Sequence, residues 1–190
     1  MKTEDKAIVK TLLAYPRVDV NLGDHNGYTP IMEAAEQGSV PIVKLLLGRK
    51  DIKVNLRDQN GYTALMWAIE HQRVLRKLLK HDDLDVNIQD DEGHSALIWA
   101  ADRGQTDVVR TLLRVRNIDP NIQSKEGFTA LICAAGQGYT EIVRDLLGNE
   151  NTDATLEDKD GFTALTAAAQ STNNEILSIL ENHLYPIQID

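Results

Sequence analysis

The chain has 190 residues, 42% of them hydrophobic, and a formal net charge of −9. An acidic chain without a basic stripe is poorly suited to neutralise phosphates, so we expect no nucleic-acid partner. The first residues lack the apolar core of a signal peptide, and no apolar run approaches the roughly 20 residues that span a bilayer. We therefore expect an intracellular protein, in the cytoplasm or the nucleus, that does not contact a membrane.

One segment recurs five times along the chain at an almost fixed spacing. Its copies begin at Leu22, Leu56, Ile88, Ile122 and Leu156. Each copy carries a tip glycine, and the spacings between Gly27, Gly61, Gly93, Gly127 and Gly161 are 34, 32, 34 and 34 residues. A period in this range predicts a solenoid, because each unit must stack on its neighbours to bury its apolar face. Such an array favours binding along a continuous surface over catalysis.

The predicted elements follow the same order in every unit. First comes a turn rich in Asp, Asn and Gly, and then a Thr or Ser that can cap the N–H groups at the start of a first helix. The first helix carries adjacent small residues, such as Ala34 and Ala35, which let neighbouring helices approach closely. A turn, usually with glycine, ends that helix, and a second helix follows with apolar residues at helical spacing.

We expect one domain over residues 1–190. Residues 1–21 match only a second helix and are predicted to be a half repeat, either a cap or part of a longer array. Full repeats are predicted at 22–55, 56–87, 88–121 and 122–155, with a C-terminal capping repeat at 156–190. The cap is indicated by Glu181, which stands where other units have leucine, and by Pro186, which stops a further helix.

The second repeat is two residues shorter than the others. Its segment 68–74 has no room for the glycine turn of its neighbours. Two interpretations follow: a tolerated loop deletion, or a local bend that reshapes the binding groove at this point.

The repeated pattern resembles the ankyrin repeat family, whose unit reads Asp-x-x-Gly-x-Thr-Pro-Leu-His-x-Ala-Ala, a glycine turn and a Leu-rich helix. The resemblance covers the whole chain, although proline is kept only at Pro30 and the histidine is replaced in every unit, by Met32 in the first. It implies an all-α ankyrin-repeat solenoid of helix-turn-helix pairs with short hairpin tips. It also implies a non-enzymatic protein–protein interaction module that binds a peptide or protein on a concave face of tips and first helices.

Two columns of residues border that concave face in the family. The position after the tip glycine holds Tyr28, Tyr62, His94, Phe128 and Phe162, and the position six after it holds Glu33, Trp67, Trp99, Cys133 and Ala167. Glu70 and Asp102 each follow a tryptophan by three residues, so we expect each pair to share one helix face. The predicted partner-binding residues are Tyr28, Tyr62, Trp67, Glu70, Trp99, Asp102 and Phe128.

A narrower resemblance concerns the two tryptophans. Tyr62, Trp67, Glu70 and Trp99 fall where the ankyrin domains of euchromatic histone lysine methyltransferases carry a methyl-lysine cage, although that family has tryptophan where Tyr62 stands. Aromatic faces beside a carboxylate attract a methylated ammonium group. A methyl-lysine reader of histone tails is therefore the alternative function. Packing between first helices or a generic interface would explain the tryptophans equally, and a structural spacer without a discrete site is a third hypothesis.

Residue types that carry other chemistry lack the necessary spacing. The five histidines show no metal-ligand pattern, and Cys133, the single cysteine, excludes an intrachain disulfide and has no zinc partner set. Its place among alanines predicts a buried structural thiol. No phosphate-binding glycine loop or nucleophile elbow is present. We expect no enzyme activity, no cofactor and no metal, and a monomer that binds a protein or peptide, basic or methylated.

Overall fold

The computed structural model describes residues 3–15, 17–171 and 173–186. Within these ranges short helices are joined by turns and no β-strand occurs, so the all-α prediction is confirmed. The chain divides into two compact units, one that ends at Asp91 and one that begins at Glu92.

The first unit has two layers of helices. It holds α1 (Thr3–Leu13), α2 (Pro30–Glu36), α3 (Val40–Leu47), α4 (Ala64–Trp67) and α5 (Gln72–Leu78). In one layer the short helices α2 and α4 pack together, and in the other α3 lies between α1 and α5. Leu46 and Leu78 of the second layer are buried, and so is Met32 of α2. Each such side chain contributes roughly 1.5–3 kcal/mol by leaving water.

The second unit repeats this arrangement with three helices in each layer. It holds α6 (Ala96–Asp102), α7 (Thr106–Leu112), α8 (Ala130–Gln137), α9 (Thr140–Leu147), α10 (Ala164–Gln170) and α11 (Asn174–Leu184). In the first layer α8 lies between α6 and α10, and in the second α9 lies between α7 and α11. Leu112, Leu146 and Leu180 are fully buried, whereas Glu181 faces solvent as predicted for the last helix.

Four of the five hydroxyl residues predicted to cap the first helices do so, whereas the hydroxyl of Thr29 makes no capping hydrogen bond at the start of α2. The side-chain oxygens of Thr63, Ser95, Thr129 and Thr163 each accept a hydrogen bond from the backbone N–H three residues later, at 3.1–3.4 Å. Each bond satisfies one of the N–H groups that a helix start leaves without a partner in the helix.

The second repeat, which is two residues shorter than the others, has a shortened first helix. The helix α4 has only four residues, whereas α2, α6 and α10 have seven. Because α4 ends at Trp67, Glu70 lies in the turn that follows. The expectation that Trp67 and Glu70 share one face of one helix is therefore wrong. His71 fills the shortened turn, and its Nε2 bonds to the carbonyl oxygen of Glu36 at 2.7 Å.

An asparagine before three of the tips, at Asn21, Asn55 and Asn121, joins one repeat to the next. Asn121 donates from Nδ2 to the Asn151 carbonyl at 2.7 Å and accepts at Oδ1 from the Asp153 N–H at 2.8 Å. In the first unit Asn21 bonds in the same way to Asp51 and Lys53, and Asn55 to Asp83 and Asp85. Because the amide offers a donor and an acceptor, both bonds form only when the next repeat lies at one fixed distance.

The tips also bond directly to each other. An aspartate at the start of the tip holds the turn, as where Asp158 Oδ1 accepts from the N–H groups of Asp160 and Phe162, both at 2.9 Å. The next tip then donates back to the preceding one, as from the Lys159 N–H to the Glu126 carbonyl at 2.9 Å. Backbone contact from tip to tip leaves little space for a side chain between them.

We predict that Asn121→Ala lowers the free energy of unfolding by about 1–3 kcal/mol, since two hydrogen bonds of about 0.5–1.5 kcal/mol each are lost. Urea unfolding followed by circular dichroism measures the difference. Asn182→Ala, at an exposed position of α11, is the matched control and should change stability by less than about 0.5 kcal/mol. Equal stability of the two variants would show that the Asn121 amide does not hold the repeats together.

Two tip glycines share a positive φ angle but differ in the space around them. Alanine substitutions at the two positions therefore distinguish the cost of backbone strain from the cost of a steric clash. Gly127 and Gly161 have φ angles of 85° and 80°. A Cβ on Gly127 would lie 2.6 Å from the Cα of Asp158, whereas a Cβ on Gly161 would meet no atom within 4 Å. Gly161→Ala should therefore cost only the left-handed strain of about 1–2 kcal/mol. Gly127→Ala should cost more, because the next tip must shift. Thermal unfolding of both variants tests this, and equal losses would contradict it.

Candidate functional site

The predicted site residues fall into two groups, one in each unit. Tyr28, Tyr62, Trp67 and Glu70 lie in the first unit, and Trp99, Asp102 and Phe128 lie in the second. Each group has its own set of contacts.

In the first unit Trp67 is enclosed by two tyrosines. The rings of Tyr28 and Trp67 meet edge to face, with centroids 5.3 Å apart at 89°, and those of Tyr62 and Trp67 are 5.4 Å apart at 63°. The indole N–H of Trp67 donates to Asp58 Oδ2 at 3.1 Å. Edge-to-face pairs of this kind contribute about 0.5–1.5 kcal/mol beyond burial. The three rings therefore stabilise the junction between the first two repeats.

A carboxylate fixes the outer edge of this cluster. The hydroxyl of Tyr28 donates to Glu36 Oε2 at 2.7 Å. Burial of the ring, and then the hydrogen bond to Glu36, raises the pKa of Tyr28 above its usual value. Like an ordinary tyrosine, Tyr28 is protonated throughout the physiological range, and the raised pKa extends its role as a donor to more alkaline pH. Glu70 is exposed in the turn after α4.

The second unit contains a depression of about 720 Å³, which we call the second-unit groove. Its lining comes from the three first helices and the tips: His94, Ile98, Trp99, Asp102, Phe128, Ile132, Cys133, Gly136, Gln137, Asp158, Asp160, Phe162, Ala167, Gln170 and Ser171. All three predicted site residues of this unit belong to it. The ring of Phe128 is 37% exposed, which is unusual for an aromatic residue in a packed repeat.

Trp99 and Asp102 lie on α6 three residues apart, as predicted. The Trp99 ring contacts the His94 ring at a centroid distance of 5.0 Å, and the guanidinium carbon of Arg103 lies over it at 4.9 Å. Asp102 Oδ1 accepts a hydrogen bond from Gln137 Nε2 on α8 at 3.2 Å. Within the second unit, Trp99 therefore contacts His94 and Arg103, and Asp102 is bonded to Gln137.

The sequence reasoning missed several residues of the groove. Phe162 belongs to the aromatic column but not to the predicted site residues, although it lines the groove with Phe128. The position of Arg103 over Trp99 was also missed. Its signal was the i,i+4 spacing, which places two helical side chains together. Gln137 had no signal, because its bond to Asp102 joins residues 35 positions apart.

Cys133 forms part of the groove floor. Burial of the thiol, and then the nearby Asp102 carboxylate, raises the pKa of Cys133 to about 12. A thiol with such a pKa is almost wholly protonated at neutral pH and is a poor nucleophile. The prediction of a buried structural thiol holds only in part, because Cys133 is half-buried and lines the open groove.

The described residues hold neither a metal-binding cluster nor a membrane-spanning helix. Among residues 3–15, 17–171 and 173–186, no group of three or more His, Cys, Asp or Glu side chains could hold a metal ion. In the same part of the chain no helix has the length and apolar character needed to cross a bilayer.

The chain is similar to known repeat proteins over nearly its whole length. A sequence profile described as ankyrin repeats (3 copies) matches the overlapping stretches 1–90, 50–123, 76–158 and 97–189. The crystal structure of EF0377, an ankyrin repeat protein, matches with a TM-score of 0.85 and 33% identity over 93% of this chain and 91% of that chain. These two matches confirm the predicted all-α repeat solenoid. No curated protein matches the chain.

We predict that the raised pKa of Cys133 makes the native thiol slow to alkylate. With a pKa of about 12 instead of the usual 8.5 or so, its thiolate fraction at pH 8 falls on the order of a thousandfold. Because a thiolate of higher pKa is also more nucleophilic, the rate falls less than the thiolate fraction does, and iodoacetamide labelling should be about a hundredfold slower in the native protein than in urea. The native rate should rise about tenfold per pH unit above pH 8. A native rate within tenfold of the rate in urea would contradict the prediction.

Proposed function

The chain belongs to the ankyrin repeat family, whose repeats generally serve protein–protein interaction, and we propose that it binds a basic protein or peptide segment in the second-unit groove. A single observation carries the proposal: an apolar floor, an exposed aromatic ring and a rim of carboxylates occur together in one depression. The proposed role is non-enzymatic, and the proposed binding form is a monomer.

The floor of the groove suits an apolar side chain. Phe128, Phe162 and Ala167 give its lining accessible apolar surface, and the lining also includes Ile98 and Ile132, which are nearly buried. Apolar anchors in pockets of this kind supply most of the affinity at protein interfaces. The volume of about 720 Å³ lies within the range of about 300–1,000 Å³ that ligand sites occupy. It is large enough for one or two side chains of a partner.

The charges around the groove favour a basic partner. Three carboxylates, from Asp102, Asp158 and Asp160, line it, and its lining contains no lysine or arginine. The chain as a whole carries a net charge of −9. Opposite charges steer association and discriminate against acidic competitors, and this contribution weakens as salt increases.

The predicted residues of the first unit have a different set of contacts. Tyr28 and Tyr62 contact Trp67 through ring edges, and Trp67 donates its N–H to Asp58. These contacts support a packing role. Tyr28, Tyr62, Trp67 and Glu70 remain predicted partner-binding residues, and the second-unit groove is the stronger candidate.

The methyl-lysine reader also stays a prediction. A cage needs aromatic faces turned to an open space that admits the ammonium group. In the first unit, edge-to-face contacts with two tyrosines already engage Trp67, and in the second unit a guanidinium lies over Trp99. These contacts favour binding of an ordinary basic peptide over recognition of a methylated lysine.

We predict that filling the groove abolishes peptide binding. Gly136 is exposed on α8, and a Cβ placed on it would meet only the Cβ of Ala167 at 3.9 Å. A leucine there should therefore enter the groove without disturbing the backbone. Twelve-residue peptides are selected from a random phage-displayed library on the intact protein and titrated by fluorescence anisotropy. Gly136→Leu should weaken their binding by about tenfold or more.

Two control variants make the result specific. Asn182→Leu adds the same side chain at an exposed position of α11 outside the groove, and it should bind the peptides as the native protein does. Gly136→Ala should bind nearly normally and gain about 0.5–1 kcal/mol of stability. Peptides that bind Gly136→Leu as tightly as the native protein would place the site elsewhere. A selection that yields no binder would favour the spacer hypothesis, and tighter binding of trimethyllysine peptides would favour the reader.

A further inference from the structure

The last repeat of the second unit reproduces the surroundings of Trp67 without the tryptophan. In the first unit the Trp67 ring contacts Tyr28 and Tyr62, and its indole N–H donates to Asp58. The chain has a counterpart of each of these four residues 100 positions later, three repeats along: Phe128, Phe162, Ala167 and Asp158. All four counterparts line the second-unit groove. The two rings and the carboxylate are therefore kept, and a small side chain replaces the tryptophan.

We propose that the second-unit groove takes a tryptophan side chain of the partner at this position, with its indole N–H donated to Asp158 Oδ2. The first unit shows that such a set of groups accommodates an indole, since the nitrogen of Trp67 and the Oδ2 of Asp58 are 3.1 Å apart there. The proposal rests on the proposed function, because it names the side chain by which the partner enters that groove.

The start of the first helix gives Ala167 the same place that Trp67 has. Each is the fourth residue of its helix, α4 for Trp67 and α10 for Ala167. Each helix is capped by a threonine, Thr63 or Thr163, whose hydroxyl accepts from the N–H three residues later. Side chains at the same position after the same cap leave the helix in the same direction. Ala167 therefore leaves open the space that the indole of Trp67 fills in its own repeat.

The Asp158 carboxylate offers an acceptor to an indole at this position. Its Oδ1 accepts from the N–H groups of Asp160 and Phe162, which holds the tip turn. In the first unit the Oδ1 of Asp58 holds its turn in the same way, and its Oδ2 accepts from Trp67. An ionised carboxylate accepts through both oxygens. Asp158 can thus take a donor from the groove at Oδ2 while Oδ1 keeps the turn.

Two further replacements open this position of the second unit. The hydroxyl of Tyr28 is bonded to Glu36, whereas Phe128 has no hydroxyl and Gly136 is the counterpart of Glu36. Phe128 is 37% exposed, and a Cβ on Gly136 would meet only the Cβ of Ala167, at 3.9 Å. The groove therefore has space beside its rings in which a tryptophan can bury its large apolar surface.

Tryptophan combines the groups that this position requires. A leucine lacks the donor, and an arginine or lysine lacks a ring to meet Phe128 and Phe162 edge to face. Tryptophan is also among the residues that most often supply the binding energy at protein interfaces. The basic residues proposed for the partner would then lie beside the other carboxylates of the groove, from Asp102 and Asp160.

The test uses N-acetyl-tryptophan amide as the probe and N-acetyl-1-methyltryptophan amide as its counterpart without the indole N–H. Each is titrated into the intact ¹⁵N-labelled protein, and the backbone signals of Gly136 and Phe162 are followed by NMR. The tryptophan probe should bind about tenfold more tightly, because the methylated probe cannot donate to the carboxylate. Asp158→Asn keeps the oxygen that holds the turn but puts an NH₂ group in place of Oδ2, so the preference should fall to about twofold or less.

Two further variants make the result specific. Asp160→Asn is the matched control, since it removes the same charge from the groove lining and leaves the Asp158 carboxylate in place. It should keep the preference of about tenfold. Ala167→Trp fills the position from within the chain, as in the first unit, and it should weaken binding of the tryptophan probe by about tenfold or more.

Several outcomes would overturn the proposal. Equal Kd values for the two probes in the native protein would do so, as would the absence of a saturable shift. Equal loss of the preference in Asp158→Asn and Asp160→Asn would reduce the effect to net charge. Tighter binding of N-acetyl-arginine amide than of the tryptophan probe would make the position a cation site instead.

The proposed function is tested separately by the peptides selected from the phage library. Peptides that lose affinity for Gly136→Leu but contain no tryptophan would leave that function standing while the tryptophan site fails. Peptides that lose affinity and contain a tryptophan should bind about tenfold more weakly when that residue is replaced by 1-methyltryptophan.

Discussion

Hydrogen bonds from each repeat to the next are the constraint on which the rest of the structure depends. The amide of Asn121 joins two backbone groups of the following repeat, and the Lys159 N–H joins the tip of that repeat to the next tip. Together these bonds fix the spacing of successive tips. The first helices that follow the tips are then held at a set distance, which is short enough to require small residues such as Ala134 and Ala135, both fully buried. Backbone hydrogen bonds and apolar burial therefore both set the register of the repeats in this array.

The same spacing produces the groove. The first helices α6, α8 and α10 lie side by side, and where they carry small side chains, as at Gly136 and Ala167, their exposed surface is hollow. The tips stand beside this hollow and contribute the rings of Phe128 and Phe162. Small residues thus serve two purposes, since they let helices approach and they leave space for a partner. The small residues at these positions therefore determine both the depth of the groove and the packing of its walls.

The two tryptophans show how a small change in repeat length alters a site. They occupy the same column, but α4 ends at Trp67 while α6 continues past Trp99 to Asp102. In the shortened repeat the residue four places after the tryptophan is His71, which lies in the turn and bonds to the Glu36 carbonyl. In the full-length repeat it is Arg103, which lies over the Trp99 ring. The Trp99 ring thus lies under a guanidinium, whereas the Trp67 ring contacts Tyr28 and Tyr62.

The sequence by itself determined the repeat, the order of turn, first helix and second helix, the capping residues such as Thr129, and the buried leucines. These features depend on residues close together in the chain, where turn chemistry and helical spacing act locally. The tertiary structure decided which side chains meet across repeats. The bonds of Asn121 to residues 30 and 32 positions away and the bond of Gln137 to Asp102 had no readable local signal. The short second repeat indicated a change at residues 68–74, but only the structure showed that α4 ends at Trp67 and leaves Glu70 in the turn. These features depend on distances between repeats and on where a helix stops, and packing sets both.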